Sequence, residues 1–284
     1  IGYNNGVFWC ATAQSTEVTG GSTLPEGTGL KYTTNLGATW TSIPQPLDHP
    51  DSTTEQYGIN TLQALPVTVA IQNLAYDIAF TPNTIWIATF AGGLRKSTDN
   101  GQTWKRVILP PDNLNSISPT DSLDFCLSPV AGGFCGEGNL NHRVFSVIST
   151  DDNTLYVGTA GGINKTTNAN SEYPTWTKFS AQNQSQPISG NFITALGYNP
   201  VSNTVWASSW KAEDQSEFYG VSSSSDGGQT WRAYLRDERP HNFGFKNNDI
   251  MIPTDNGVYR SSDIGFTWLL PNNIIDENTY TFAK

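Results

Sequence analysis

The sequence predicts an all-β chain folded as a β-propeller of five four-stranded blades, and three observations carry that reading. One short phrase recurs five times: TTNLGATW ending at Trp40, STDNGQTW at Trp104, a stretched TTNANSEYPTW at Trp176, SSDGGQTW at Trp231 and SSDIGFTW at Trp268. A Gly-apolar pair precedes each copy, at Gly29-Leu30, Gly93-Leu94, Gly162-Ile163, Gly220-Val221 and Gly257-Val258. Upstream of each pair lies an apolar run suited to a buried strand: FWCAT around Trp9, IWIAT around Trp86, LYVGT around Tyr156, VWASS around Trp206 and IMIPT around Met251. A strand-turn-strand unit repeated with an aromatic marks propeller blades rather than a solenoid of helices.

Each unit reads as strands A to D. Strand A is innermost, as in YDIAF (76–80), VFSVI (144–148), FITALGY (192–198) and HNFGF (241–245). Strand B is the apolar run. Its alignment stacks Trp9, Trp86, Tyr156, Trp206 and Met251 at one position, followed by Cys10, Ile87, Val157, Ala207 and Ile252. A bulky side chain recurring once per blade belongs to the core between blades rather than to a ligand cage. Strand C starts at the Gly-apolar pair, and the repeated phrase turns it into strand D. On this reading residues 1–284 form a single domain that enters at strand B of its first blade, and TYTFAK (279–284) supplies one more strand A. Either the two ends complement each other in one blade or the chain is cut from a larger propeller.

The turn chemistry follows from the residue types. Asp99, Asp226 and Asp263 can accept hydrogen bonds from N–H groups of their own turns, while Gly101, Gly228 and Gly265 tolerate a positive φ two residues later. The Thr and Trp that follow start strand D, with the indole buried. Asn35 replaces the Asp of the first copy and keeps an acceptor; an insertion after Asn168 removes the Gly of the third. The consensus, Ser/Thr-Ser/Thr-Asp/Asn-x-Gly-x-Thr-Trp, resembles the Asp-box, or BNR repeat, of sialidases, sortilin-type receptors, xyloglucanases and photosystem II assembly factors. In style it is most similar to propeller modules of secreted or surface bacterial proteins. The resemblance implies fold more than activity, because the turn itself only builds the blade.

Charged residues make up 14% of the chain and the net charge is −10, which excludes the basic stripe that nucleic-acid binding needs. No apolar run approaches the ~20 residues of a membrane span. Cys10 occupies a core position of the repeat. Cys126 and Cys135 flank a short loop and either form a disulfide, which implies an oxidising compartment, or stay free. His49, His142 and His241 lack metal-ligand spacing and read as surface or turn residues, so neither a metal nor a cofactor is expected.

Insertions interrupt the repeat at 14–27, 44–74, 109–142 and 210–219, all on the face where B-to-C and D-to-A connections emerge; the repeated turns lie opposite. Long loops in a compact repeat protein usually carry function. They display Tyr57, Phe125, Phe134, Trp210, Phe218 and Tyr219 among carboxylates that include Glu137 and Glu213, a mixture suited to protein or glycan contacts. A sialidase-like site would need three convergent arginines; only Arg143, Arg236 and Arg239 fall near this face, and that family's Tyr/Phe-Arg-Ile-Pro motif is absent. A glycosidase would need two facing carboxylates from Asp48, Asp124, Glu137, Asp214 and Glu217. The expected function is a non-catalytic recognition or scaffold module, extracellular, cell-surface or periplasmic, within a larger surface assembly. The alternative is a glycoside hydrolase of sialidase- or xyloglucanase-like type.

Overall fold

A computed structural model describes residues 1–212 and 216–270, and these form strands joined by turns and loops. β1 (Gly2–Asn4), β2 (Val7–Glu17), β3 (Thr23–Thr33) and β4 (Thr41–Ile43) pair in that order as an antiparallel meander. β5 (Thr54–Tyr57) and β6 (Asn60–Ala64) then form a hairpin outside the repeat. The second blade is β7 (Ala75–Thr81), β8 (Thr84–Thr89), β9 (Gly93–Ser97) and β10 (Lys105–Val107). β11 (Ser116–Ile117) and β12 (Cys126–Leu127) precede the third: β13 (Val144–Ser149), β14 (Leu155–Thr159), β15 (Gly162–Thr166) and β16 (Trp176–Phe179), with β11 added on the outer edge of β16. The fourth blade is β17 (Phe192–Asn199), β18 (Thr204–Trp210), β19 (Gly220–Ser224) and β20 (Arg232–Tyr234). The last holds β21 (Gly244–Lys246), β22 (Asp249–Thr254) and β23 (Gly257–Ser261), and Leu269 bridges to Arg260 at the fourth-strand position. The fold is an all-β propeller.

Two expectations about the ends need correction. The first blade does not begin at strand B: Gly2–Asn4 pairs with Val7–Trp9 as its own strand A, leaving no vacancy there for residues 279–284, which lie outside the described residues. Nor is every repeated Trp buried. The core clusters join successive blades: Trp9 packs with Ile78 and Ile87, Tyr156 with Ile193 and Val205, and Trp206 with Ile250 and Ile252. From the second blade on, the repeated-turn Trp seals the same seam from the other side, as Trp231 does against Phe179 and Trp268 against Trp206. Among the described residues no blade packs ahead of Trp40, which is 47% exposed, and none packs beyond Met251, which is 44% exposed.

The repeated turns share one hydrogen-bond scheme. Asp99 Oδ1 accepts from Thr103 N at 2.9 Å and from Ser97 Oγ at 2.8 Å, its Oδ2 accepts from Thr103 Oγ1 at 2.6 Å, and Gly101 N donates to Ser97 Oγ. Asp226 and Asp263 repeat this, and Asn35 receives Thr39 N at 2.9 Å. Gly101 and Gly228 sit at φ +84° and +97°, where a Cβ would be strained. Across its insertion, Asn168 Oδ1 still receives the N–H and hydroxyl of Thr175, at 2.9 and 3.0 Å.

A polar relay ties the inner strands together. Leu196 N donates to Ser146 Oγ, and Ser146 Oγ and Val147 N both donate to Asp77 Oδ2, so three successive blades share it. Residues of β1, β7, β13 and β17, with His241 and Asn242 ahead of β21, line a central cavity of about 620 Å³.

The segments 44–74 and 109–142 are not simple loops. β5, β6 and β12 make a separate sheet in which β12 runs parallel to β6, pairing Cys126 with Gln63 and Leu127 with Ala64. Tyr57, Leu62, Ala64, Ile117 and Leu127 from this region join the core of blades two and three. Cys126 and Cys135 are disulfide-bonded, their Cα atoms 5.4 Å apart, and Cys10 is free. His142 is not a surface residue: it is buried beneath these connections with Nε2 3.2 Å from Leu109 O, and burial pushes its pKa down to about 4.

Candidate recognition face

The inner strands of blades two to four each carry a register irregularity near their first residues, at Ala75/Asp77, Val144/Ser146 and Ile193/Ala195. Such bulges re-aim side chains at a sheet end. Here they accompany a row of rings at the mouth of the central cavity. Tyr76 and Phe90 approach Phe145 with centroids 5.3 and 5.8 Å away, Phe145 meets Phe192 at 4.7 Å, and Phe192 stacks on Trp210 at 6.2 Å. Arginines cap the row. Arg143 lies over Phe90 at 5.8 Å, and Arg239 lies over Trp210 and Tyr219 at 5.1 and 4.9 Å. Arg236 covers Phe218 at 4.0 Å.

These contacts fix the row. Trp210 Nε1 donates to Pro240 O at 3.0 Å, Arg143 Nε donates to Pro129 O at 2.7 Å, and Asp255 pairs with both Arg239 and His241. The rings stay half-buried and Tyr76 is 48% exposed, so an apolar but polar-rimmed strip faces solvent. Stacked guanidiniums keep outward N–H groups for a ligand, and rings held in place lose little entropy on binding.

The residues expected to form the site divide. Trp210, Phe218 and Tyr219 belong to the row. Phe134 is exposed within the disulfide loop, Glu137 is exposed beside it, and Phe125 is half-buried with its ring 6.0 Å from that of His142. Glu213 and Asp214 lie outside the described residues. Tyr57 is a correction. It is 1% exposed, and its hydroxyl donates to Pro174 O at 2.7 Å beside the third repeated turn, so the hairpin of the 44–74 connection reaches the repeated-turn side instead of staying on the face expected of it. Alternation along β5 turns it inward against the core. Tyr76, Phe145 and Phe192 are site residues that sequence reasoning assigned to inner strands, and an aromatic near the start of three such strands is the signal they share; Phe90, just past β8, carries no such mark.

Two carboxylates considered for glycosidase chemistry are committed elsewhere. Asp48 Oδ1 accepts from Arg95 Nη1 at 2.8 Å, and its Oδ2 pairs with Arg106 and accepts from Val67 N, all buried. Burial pulls its pKa up, but the Arg95 hydrogen bond and the two arginine charges outweigh this and hold it below the usual range. Glu217 is buried and accepts from Asn191 N and Nδ2, Gln182 Nε2 and Ala212 N, pinning its own loop. Among the described residues, no group of three or more His, Cys, Asp or Glu side chains could hold a metal ion.

No protein-family model matches the chain, and no curated protein matches it by sequence. Solved propeller proteins do match by structure. PorZ, a bacterial surface component of the type-IX secretion system of Porphyromonas gingivalis, aligns with TM-score 0.54 and 13% identity over 91% of this chain and 31% of its own. A GH74 enzyme of Niastella koreensis aligns with TM-score 0.49 and 20% identity over 90% of this chain and 36% of its own. YCF48, solved bound to D1 peptide, aligns with TM-score 0.49 and 16% identity over 94% of this chain and 72% of its own. The chain thus spans about a third of the PorZ and GH74 chains, and at these identities the likeness is one of fold. A shared fold alone does not fix an activity.

Proposed function

We propose that this chain is a non-catalytic, extracytoplasmic recognition module that holds a polypeptide partner on the face carrying its long connections, as one propeller domain of a larger surface assembly. The observation that carries this reading is the aromatic row from Tyr76 to Trp210, capped by Arg143 and Arg239. Aromatic and arginine side chains are the residues that concentrate binding energy at protein interfaces. The Cys126–Cys135 disulfide supports an oxidising compartment, and PorZ offers a surface component of the same fold.

A displayed peptide library and a glycan array, each screened with the wild type and with Trp210→Ala and Arg239→Ala, test it. Peptides retained by the wild type and released by both variants are expected. Retention of glycans alone, or sugar release abolished by amide substitution of two facing carboxylates, rejects the proposal in favour of a lectin or a hydrolase.

A further inference from the structure

On the opposite side of the propeller, the β5–β6 hairpin and the second and third repeated turns enclose a groove of about 750 Å³. This is within the ~300–1,000 Å³ of small-ligand pockets. We infer that this groove is a binding site for a neutral oligosaccharide, a second site independent of the aromatic row. Its walls carry Trp104 and Tyr173 as half-buried rings, with Glu55, Lys96, Lys105 and Asn170 between them. Sugars present apolar C–H faces and hydroxyls that both donate and accept. A site for them therefore needs a ring surface, an acceptor and donors together.

Glu55 supplies the acceptor. It shares the inward face of β5 with Tyr57, lines the groove half-buried, and accepts no hydrogen bond among the described residues. Asp48, next to it, is already saturated by Arg95, Arg106 and Val67. Burial holds the Glu55 carboxyl up, Arg106 pulls it down and Asp48 pushes it up again, so it is a carboxylate lacking a close partner of its own. Lys96 supplies a donor. Its ammonium donates to Ser171 O at 3.2 Å and Glu172 O at 3.0 Å, which fixes its position and leaves one of its three protons for a ligand. Lys105, exposed at the rim, supplies another. Charges of both signs within one groove select against a strongly anionic or cationic ligand. Among the described residues, such a hairpin wall stands only beside the second and third repeated turns, because β5 and β6 belong to an insertion of the chain between blades one and two.

The test is a neutral-glycan array, followed by calorimetric titration of the retained oligosaccharide into wild type, Glu55→Gln, Lys105→Ala and Trp210→Ala. Glu55→Gln is expected to weaken binding about tenfold or more, as loss of a hydrogen bond to a charged group does. Its melting temperature should not fall below the wild-type value, since no intramolecular hydrogen bond is lost and burial already disfavours the charge that is removed. Lys105→Ala should weaken binding less, and Trp210→Ala should leave it unchanged. An array with no neutral glycan retained, an affinity within twofold of wild type in Glu55→Gln, or loss of binding in Trp210→Ala overturns the inference. The first two outcomes leave the recognition face untouched, and peptide retention by that face is read separately.

Discussion

Asp48 offers the sharpest separation between a structural and a catalytic carboxylate. Its side chain is 9% exposed, and the two guanidiniums it joins, Arg95 and Arg106, are 2% and 6% exposed. Asp48→Ala leaves two buried cations without their counter-charge, a change that costs about 3–5 kcal/mol for a buried pair. It also removes the acceptor of Val67 N, at about 1 kcal/mol. At roughly 2–4 °C per kcal/mol for a chain of this size, the melting transition should fall by about 10–20 °C. Calorimetry gives the shift, and hydrogen exchange should place the loss in residues 44–74 and in β9 and β10. A double-mutant cycle with Arg106→Met isolates the pair. A variant that melts within about 2 °C of wild type would refute this account of the buried cluster.

The remaining expectations concern other regions. His142 has its pKa lowered by burial to about 4, below its unfolded value near 6.5; the unfolded state then binds more protons between these values, so stability is full above pH 6.5 and is lost as pH falls toward 4. Urea denaturation should show this loss, on the order of 2–3 kcal/mol, and a weaker slope in His142→Gln, whose amide can still donate to Leu109 O. Asp226→Ala removes the acceptor of Thr230 N and Oγ1 in an exposed turn and should cost about 1 kcal/mol, read as a small drop in melting temperature with peptide binding intact. Mass measurement should show two hydrogens gained on reduction of the Cys126–Cys135 bond. Amide exchange should be slowest in β8, β14 and β18, whose blades have a packed neighbour on both sides, and faster in β22.

The blade series was legible because its signal is periodic: Trp9, Trp86, Tyr156 and Trp206 align in sequence and are buried at equivalent seams. Met251 aligns equally well yet is exposed, since alignment reports a position and not whether a neighbour covers it. Short strands inside polar insertions were invisible. β5 alternates over four residues only, too few to separate from a loop, and its pairing through β6 with β12 depends on residues some sixty positions downstream. The recognition row was half legible. Trp210, Phe218 and Tyr219 stood out in an insertion, whereas Tyr76 and Phe145 looked like strand residues because a one-residue bulge has no compositional mark. Arg239 stacks on Trp210 from a different connection, a contact set by blade geometry rather than by local sequence.

The parallel pairing of β6 with β12 also orders events in time. An array whose contacts run only between successive blades can fold as it leaves the ribosome, each blade closing on the last. Here Gln63 and Ala64 wait for Cys126 and Leu127, and the whole second blade lies between them in the chain. The hairpin after the first blade therefore remains an unfinished edge until the second has emerged. The Cys126–Cys135 bond then closes directly behind the strand that completes it. Oxidation of that thiol pair during synthesis would thus report the moment at which this clasp engages, giving a covalent timer for the assembly of blades two and three.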